Sequence, residues 1–271
     1  MNTALMPYDN PFGDESLYHS PPHALGWCTR QFPSFMFYLR MFSPVARLCH
    51  LAKFGKADNY AWVRSSSDVL RALERAGCVF HAEGLENINT VEGPCIFAAN
   101  HMSTLETFVL PCIIQPRRNV TFVVKRSLTT MPLFGPVMRS RDPIILDRKN
   151  ARQDLVTVLE EGEKRLQRGI SIIIFPQSTR SNTFNPAKFN SIATKLAKRT
   201  GIPIIPLALQ TAAWGQGKIM KDFGSIYPDK PVNFRFGAPI QVEGAGKVEH
   251  LRVCDFIQAT LEEWKNTNAH R

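Results

Sequence analysis

Short apolar runs alternate with segments of helical pattern from residue 78 onward. The helical patterns lie near 104–113, 150–168, 187–199 and 247–266. The apolar runs read CVFHAEGL, PCIFAAN, VTFVVK, DPIILD, SIIIFP, IIPLALQ and VNFRFGAPI. Runs of this kind predict strands that are buried on both faces of a sheet. The alternation predicts an α/β fold over residues 78–271, with a largely parallel mixed sheet flanked by helices.

The chain before residue 78 has a different texture. Residues 1–30 contain four prolines and little periodicity, which predicts an irregular segment. Residues 31–77 are predicted to be helical. Ser43 before Pro44 indicates an N-cap followed by proline at the first helical position, so we expect one helix over 44–54. The stretch SSSDVLRALERAG predicts a second helix, with its serines as caps.

The helix expected over 44–54 is amphipathic and follows a segment crowded with aromatic residues. Its basic positions share one side and its apolar positions the other. The basic residues are Arg47, His50 and Lys53, and the preceding aromatics are Phe32, Phe35, Phe37, Tyr38 and Phe42. This combination is typical of an interfacial membrane anchor, and the alternative is a helix docked on the protein's own core. We therefore predict a membrane-associating segment over 31–77.

A histidine and a carboxylate lie where the run PCIFAAN gives way to a helical pattern, in NHMSTLE. Ser103 and Glu106 fit a capping box, in which case Glu106 closes the helix and His101 is only a strand-end residue. Alternatively, Glu106 orients His101 as a general base that takes a proton from a substrate hydroxyl. Five helical residues turn through a net ~140°, so the pair meets only if His101 lies in the turn before the helix.

Three cations are expected near the same edge of the sheet as this pair. Lys125, Arg148 and Arg180 each fall at or just beyond the end of an apolar run. The carboxyl ends of parallel strands form one edge, where ligands bind in open α/β sheets. Together the three cations suit a phosphate group, whereas each alone is more often a solvated surface charge.

Four blocks in order resemble the glycerolipid acyltransferases of the lysophosphatidic acid acyltransferase type. That family carries N-H-x4-D, a block ending in I-D-R, F-P-E-G-T-R-S and V-P-I-V-P. This chain has NHMSTLE, FGPVMRSRDPIILDR, FPQSTRS and GIPIIPLAL, within roughly residues 78–240. The resemblance implies that residues 78–271 are an acyltransferase domain. It also implies transfer of a fatty acyl group from acyl-CoA or acyl carrier protein to a lysophospholipid hydroxyl, 1-acyl-sn-glycerol-3-phosphate above all.

The resemblance also assigns roles to residues. His101 is the general base and Glu106 is its orienting carboxylate, with no metal and no cofactor beyond the acyl-donor substrate. The three cations bind the phosphate of the acceptor, and Pro206 shapes a substrate pocket. The implied substrate-binding residues are Lys125, Gly135, Arg148, Gln177, Ser178, Thr179, Arg180, Ser181 and Pro206.

The chain departs from the family blocks at two places. Glu106 replaces aspartate, which keeps the charge and adds one methylene. Gln177-Ser178 replaces Glu-Gly, which removes a negative charge and the conformational freedom of glycine. Another lysolipid or an amino-acid lipid therefore stays open as the acceptor. A peripheral lipid-binding protein that keeps the fold without turnover is the alternative to an enzyme.

Composition and charge indicate where the protein acts and argue against nucleic acid as a partner. The chain of 271 residues carries a net charge of +10, which suits an anionic membrane surface or a polyanion. We find no nucleic-acid-binding motif, and acidic residues are interspersed among the basic ones, so we expect no nucleic-acid partner. Six scattered cysteines, no signal-peptide pattern and no run of 18 apolar residues favour a cytoplasmic protein, peripheral on the inner face of the membrane.

Overall fold

The computed structural model describes residues 12–13, 15–177, 179–218 and 220–269. The strands are β1 Leu17–His19, β2 Phe80–Glu83, β3 Ile96–Ala99, β4 Val120–Lys125, β5 Ile144–Leu146, β6 Ser171–Ile174, β7 Ile204–Gln210 and β8 Val232–Phe236. The α-helices are α1 Trp27–Gln31, α2 Pro33–Lys53, α3 Asn59–Glu74, α4 Leu105–Ile114, α5 Arg126–Thr129, α6 Gly135–Ser140, α7 Ala151–Gln167, α8 Ile192–Thr200 and α9 Lys247–Ala269. Short 3-10 helices cover Leu85–Ile88 and Pro186–Lys188.

The strands form one mixed sheet in the order β1-β2-β8-β7-β3-β6-β4-β5. Only β1–β2 and β7–β8 pair antiparallel among these strands, and the other neighbours are parallel. The predicted α/β class and the largely parallel mixed sheet are therefore confirmed. Strand β3 lies inside the sheet, between β7 and β6.

Both faces of the central strands β3, β6 and β7 are buried, which explains why these strands read as unbroken apolar runs. Along β3, Phe97 and Ala99 belong to a core shared with α2, α3 and α4. Ile96 and Ala98 point to the opposite face and belong to a core shared with α7, α8 and α9. The helical segment predicted over 31–77 thus packs on the sheet and contributes to its first core.

Helix α2 begins eleven residues before the predicted start at Pro44, which lies inside the helix. The cap assigned to Ser43 was therefore wrong. A proline inside a helix removes one backbone hydrogen bond. Here Phe37, Met41 and Leu48 are buried on both sides of the proline, so packing holds the two halves in one helix.

Helix α3 also begins earlier than predicted, and its N-cap is Asp58, whose carboxylate accepts from Ala61 N–H at 2.7 Å. The serines proposed as caps lie inside the helix and are buried. Ser66 Oγ donates to Phe108 O at 2.6 Å and accepts from Cys112 N–H at 2.9 Å. These serines therefore tie α3 to α4, and their small size permits the close contact.

The segment predicted to be irregular contains two regular elements, β1 and α1, and residues 1–11 and 14 lie outside the described part. Strand β1 pairs with β2, and Tyr18 of this strand and Ser20 just after it reach the buried Glu74 of α3. Tyr18 Oη and Ser20 Oγ each donate to Glu74 Oε1 at 2.6 Å. A tertiary contact more than fifty residues away thus stabilises a strand that local sequence does not signal.

The carboxyl ends of five strands lie at one edge of the sheet, because these strands run parallel: β3, β4, β5, β6 and β7.

Within the described residues, none of the helices has both the length and the apolar character to cross a bilayer.

Substitution of Gly84 tests whether the close approach of its backbone to the end of β8 contributes to stability. The φ of Gly84 is +71°, and a Cβ there would lie 2.1 Å from Phe236 O. We expect Gly84→Ala to lower the free energy of unfolding by more than about 3 kcal/mol, since strain and a clash with backbone add. Gly93→Ala is the matched control, with φ +76° and open space around it, and should cost about 1 kcal/mol. Urea unfolding would measure both, and equal losses would show that the close approach is unimportant.

Candidate active site

His101 lies just beyond the carboxyl end of β3, held there by the side chain of Asn100. The Asn100 amide donates to Leu209 O and accepts from Leu209 N–H, each at 2.8 Å. It thus imitates the backbone pairing between β3 and β7 for one more position. Because Asn100 is buried, loss of either bond would leave a polar group of β7 unpaired.

His101 and Glu106 form the pair expected from the sequence. His101 Nδ1 lies 2.8 Å from Glu106 Oε1, with His101 in the turn before α4. The Glu106 side chain has no exposed surface, whereas 17% of the His101 side chain is exposed. The imidazole also stacks on Phe175, with ring centroids 4.3 Å apart. Since Nδ1 is bound to the carboxylate, Nε2 is the nitrogen left to accept a proton.

Both carboxylate oxygens of Glu106 accept several hydrogen bonds. Oε1 accepts from Met102 N–H at 2.7 Å and from Ser103 N–H at 3.1 Å. Oε2 accepts from Ser103 Oγ at 3.1 Å and from the hydroxyl of Thr211. Burial acts to raise the pKa of the Glu106 carboxyl, but the hydrogen bond and charge of His101 and the other donors hold that pKa below its ordinary value.

The predicted capping box is formed only in part. Helix α4 starts at Leu105 with Thr104 as its N-cap, whose side chain makes no capping hydrogen bond, so Ser103 lies one position before the cap predicted for it. Ser103 Oγ accepts from Leu105 N–H at 3.1 Å, and Glu106 Oε1 accepts from Ser103 N–H at 3.1 Å. The Glu106 carboxylate thus binds both the start of the helix and His101, so the two interpretations of this residue are compatible.

The third block clamps the backbone of His101 from both sides. Gln177 Oε1 accepts from His101 N–H at 2.8 Å, and Ser181 N–H donates to His101 O at 2.9 Å. The amide at position 177 therefore supplies an acceptor without a charge. Thr179 is exposed, and Ser181 Oγ donates to Thr183 O at 2.8 Å within its own turn. Ser178 lies outside the described residues.

Of the three cations, Arg180 contacts the turn that carries the dyad. Its guanidinium contacts the hydroxyl of Thr104 and lies 2.6 Å from Asp222 Oδ1. Lys125 and Arg148 are exposed at the ends of β4 and β5. At about 4.8 Å between neighbouring strands, these ends lie about 10 Å and 14 Å from β3. All three cations share the predicted edge, but Lys125 and Arg148 are spread along it.

Gly135 and Pro206 have evident structural surroundings. A Cβ at Gly135 would lie 2.6 Å from Thr129 O, so this glycine allows α6 to start against the backbone of α5. Pro206 is buried within β7 and opposite Ala98, where its carbonyl accepts from Gly237 N–H at 2.8 Å. It lies several residues back from the carboxyl edge that carries His101.

Thr211 and Asp222 were missed by sequence reasoning. Thr211 directly follows β7, so its place after the fourth block was a usable signal. Asp222 lies in the connection from β7 to β8, with no local pattern to mark it. Among the described residues, no cluster of three His, Cys, Asp or Glu side chains could hold a metal ion.

Comparisons with known proteins agree with the four blocks. Residues 79–210 match the family model described as Acyltransferase. A 1-acyl-sn-glycerol-3-phosphate acyltransferase of Pseudomonas aeruginosa is 34% identical over 147 residues, which cover 54% of this chain and 54% of that protein. The Escherichia coli protein of the same name is 35% identical over 101 residues, covering 37% of this chain and 40% of that protein. The chain thus matches about half or less of the length of these relatives.

A solved structure is also similar, the 1-acyl-sn-glycerophosphate (LPA) acyltransferase PlsC from Thermotoga maritima. The TM-score is 0.61 at 19% sequence identity, and the match covers 86% of this chain and 95% of that one. At this identity the similarity concerns the fold, and it agrees with the mixed sheet flanked by helices.

Thr211→Val tests whether the Thr211 hydroxyl stabilises the ionised carboxylate. We expect the free energy of unfolding near pH 7 to fall by about 2 kcal/mol, since a buried bond to a charge is lost. The folded-state pKa of Glu106 is lowered, so this contribution is complete above the unfolded pKa of about 4.3 and declines as pH falls through the folded-state pKa.

Denaturant unfolding at several pH values would measure the loss. Thr211→Ser is the matched control, because it keeps the hydroxyl. A loss that does not change with pH would indicate a packing effect instead.

Proposed function

We propose that the domain whose residues 79–210 match the acyltransferase model transfers a fatty acyl group from a thioester donor to the free hydroxyl of a lysophospholipid. The observation that carries the proposal is the 2.8 Å contact between His101 Nδ1 and the buried Glu106, at the carboxyl edge of the sheet and within the matched region. The donor is acyl-CoA or acyl carrier protein, and 1-acyl-sn-glycerol-3-phosphate is the first acceptor to test, because the matched relatives carry that activity in their names.

His101 acts as the general base in this proposal. Nε2 takes the proton of the acceptor hydroxyl as its oxygen attacks the thioester carbonyl, giving a tetrahedral oxyanion. Glu106 stabilises the imidazolium that forms. When the intermediate collapses, the carbon–sulfur bond breaks and the thiolate leaves with the proton from His101. The products are the diacylated lipid and a free thiol.

Arg180 is the first candidate for the acceptor phosphate. Its guanidinium lies beside Thr104, two residues before Glu106, so a phosphate held there would sit close to the reacting hydroxyl. A guanidinium fork also suits phosphate geometry. Lys125 and Arg148, spread along the same edge, would act at longer range by attracting an anionic lipid headgroup.

Helix α2 supplies the proposed membrane contact. Phe32, at its N-cap position, and three side chains in the helix are each more than half exposed, and their spacing puts them on one face: Phe35, Leu39 and Phe42. On the other side of the same helix, Phe37 is fully buried against Trp214. An exposed aromatic face on a basic chain suits an anionic membrane surface, so we propose peripheral association with the inner face of the membrane.

Thiol release from oleoyl-CoA by the purified protein, with 1-oleoyl-glycerol-3-phosphate in mixed micelles, tests the reaction. We expect acceptor-dependent release that falls by at least about a thousandfold in His101→Ala, because the general base is removed. Glu106→Gln keeps the capping acceptor and removes the charge, so it should lower kcat while the KM for oleoyl-CoA stays near the wild-type value.

Two outcomes would count against the proposal. Equal release by the wild type and His101→Ala would exclude His101 as the base. If the wild type releases no thiol with acyl-CoA, acyl carrier protein or other lysolipids, yet binds vesicles, a lipid-binding protein without turnover becomes the better account.

Replacement of the exposed face of α2 tests the membrane contact. We expect Phe35→Ser with Leu39→Ser and Phe42→Ser to weaken binding to anionic vesicles by at least about a hundredfold, since three apolar anchors are lost. Val248→Ser with Leu251→Ser on α9 removes comparably exposed apolar side chains elsewhere and should leave binding unchanged. Vesicle sedimentation measures binding, and equal retention of both variants would place the contact elsewhere.

A further inference from the structure

We propose that Asp222 is a specificity-determining residue. It disfavours acceptors whose phosphate monoester carries two negative charges, and it favours acceptors whose phosphate diester is joined to an ammonium group. This inference rests on the proposed function, since it concerns the acceptor side of the same site. It deepens that function by naming the headgroup chemistry that the site prefers.

Asp222 already forms an ion pair with Arg180, the cation that contacts the turn carrying the dyad. Its Oδ1 lies 2.6 Å from Arg180 Nη2, and the other terminal nitrogen of Arg180 contacts the Thr104 hydroxyl. Thr104 Oγ1 also lies 3.5 Å from Asp222 Oδ1. Both terminal nitrogens of Arg180 are therefore engaged, and a phosphate that binds both of them competes with the carboxylate.

The carboxylate is held in place by the hairpin-like loop that carries it. Gly215 N–H donates to Ser225 O at 2.9 Å, and a Cβ on Gly224 would lie 2.0 Å from Gly215 O, so the two arms touch through their backbones. Tyr38 Oη donates to Gly224 O at 2.6 Å, which fastens the base of the loop to α2. Asp222 is thus a positioned charge at the mouth of the site.

Both side chains of the ion pair are in contact with water. The Arg180 side chain is 18% exposed and that of Asp222 is 40% exposed. A carboxylate with this much water contact loses little when it leaves the guanidinium. It nevertheless stays within a few ångströms of the incoming headgroup, where a like charge repels a phosphate dianion and an ammonium is attracted.

The arrangement therefore matches a headgroup with one anion and one cation. Arg180 binds the phosphate, and the displaced Asp222 pairs with the ammonium of the same headgroup. A monoester offers no such cation, so its second negative charge is repelled by the carboxylate. Lysophosphatidylethanolamine and 1-acyl-sn-glycerol-3-phosphate, with the same acyl chain, are the pair that separates the two cases.

Asp222→Asn tests the proposal by removing the charge and keeping the shape. We expect the ratio of kcat/KM for 1-oleoyl-glycerol-3-phosphate to that for 1-oleoyl-glycerophosphoethanolamine to rise about tenfold. Asp229→Asn is the matched control, since it removes an exposed carboxylate from the same β7–β8 connection and should not move the ratio. In an Arg180→Gln background, Asp222→Asn should change the ratio much less, because the fork that brings the phosphate to Asp222 is gone.

An unchanged ratio in Asp222→Asn, or an equal rise in Asp229→Asn, would overturn the proposal. A binding measurement tests the role of Asp222 independently of the proposed reaction. Calorimetric titration with soluble 1-hexanoyl-glycerol-3-phosphate should show several-fold tighter binding to Asp222→Asn than to the wild type, whether or not either protein turns over. Equal affinity would overturn the role of Asp222, whereas absence of thiol release from the wild type would overturn only the proposed reaction.

Discussion

A fully buried carboxylate, that of Glu106, sets the constraint on which the functional edge depends. An ionised carboxylate without exposed surface is costly unless its oxygens are fully hydrogen-bonded. The donors come from the turn before α4, from His101 and from Thr211 at the end of β7. These elements therefore cannot shift independently. The same set of bonds that compensates the burial also fixes the imidazole with Nε2 available.

The position of β3 between β7 and β6 brings the remaining parts to this carboxylate. Strand β7 delivers Thr211, and the loop after β6 delivers Gln177 and Ser181, which hold the backbone of His101 on its two sides. The same loop carries Arg180 to Thr104. A change of glutamate to glutamine in the third block keeps the one contact that the dyad needs from that position, which is an acceptor for His101 N–H.

Helix α2 explains why the N-terminal segment contains more aromatic residues than a docked helix needs. Phe37 and Met41 pack into the core, while Phe35 and Phe42 remain on the outside. The helix is also fastened to the loop that bears Asp222, through Tyr38. The proposed membrane contact and the proposed acceptor site are thus joined by direct contacts rather than by a flexible link.

Local pattern determined the class of fold, the approximate strands from β2 onward, the four main helices of the α/β domain and the His101–Glu106 pair, because each depends on residues close in the chain. It failed where distant contacts decide. Helix α2 continues through Pro44 because its buried face packs on the core, and β1 is stabilised by pairing with β2 and by the bond from Tyr18 to Glu74. Thr211 lies 105 residues from Glu106, and Asp222 lies 118 residues from Thr104. Only the tertiary structure brings them to the site, because parallel strand order, rather than proximity in sequence, decides which loops share an edge.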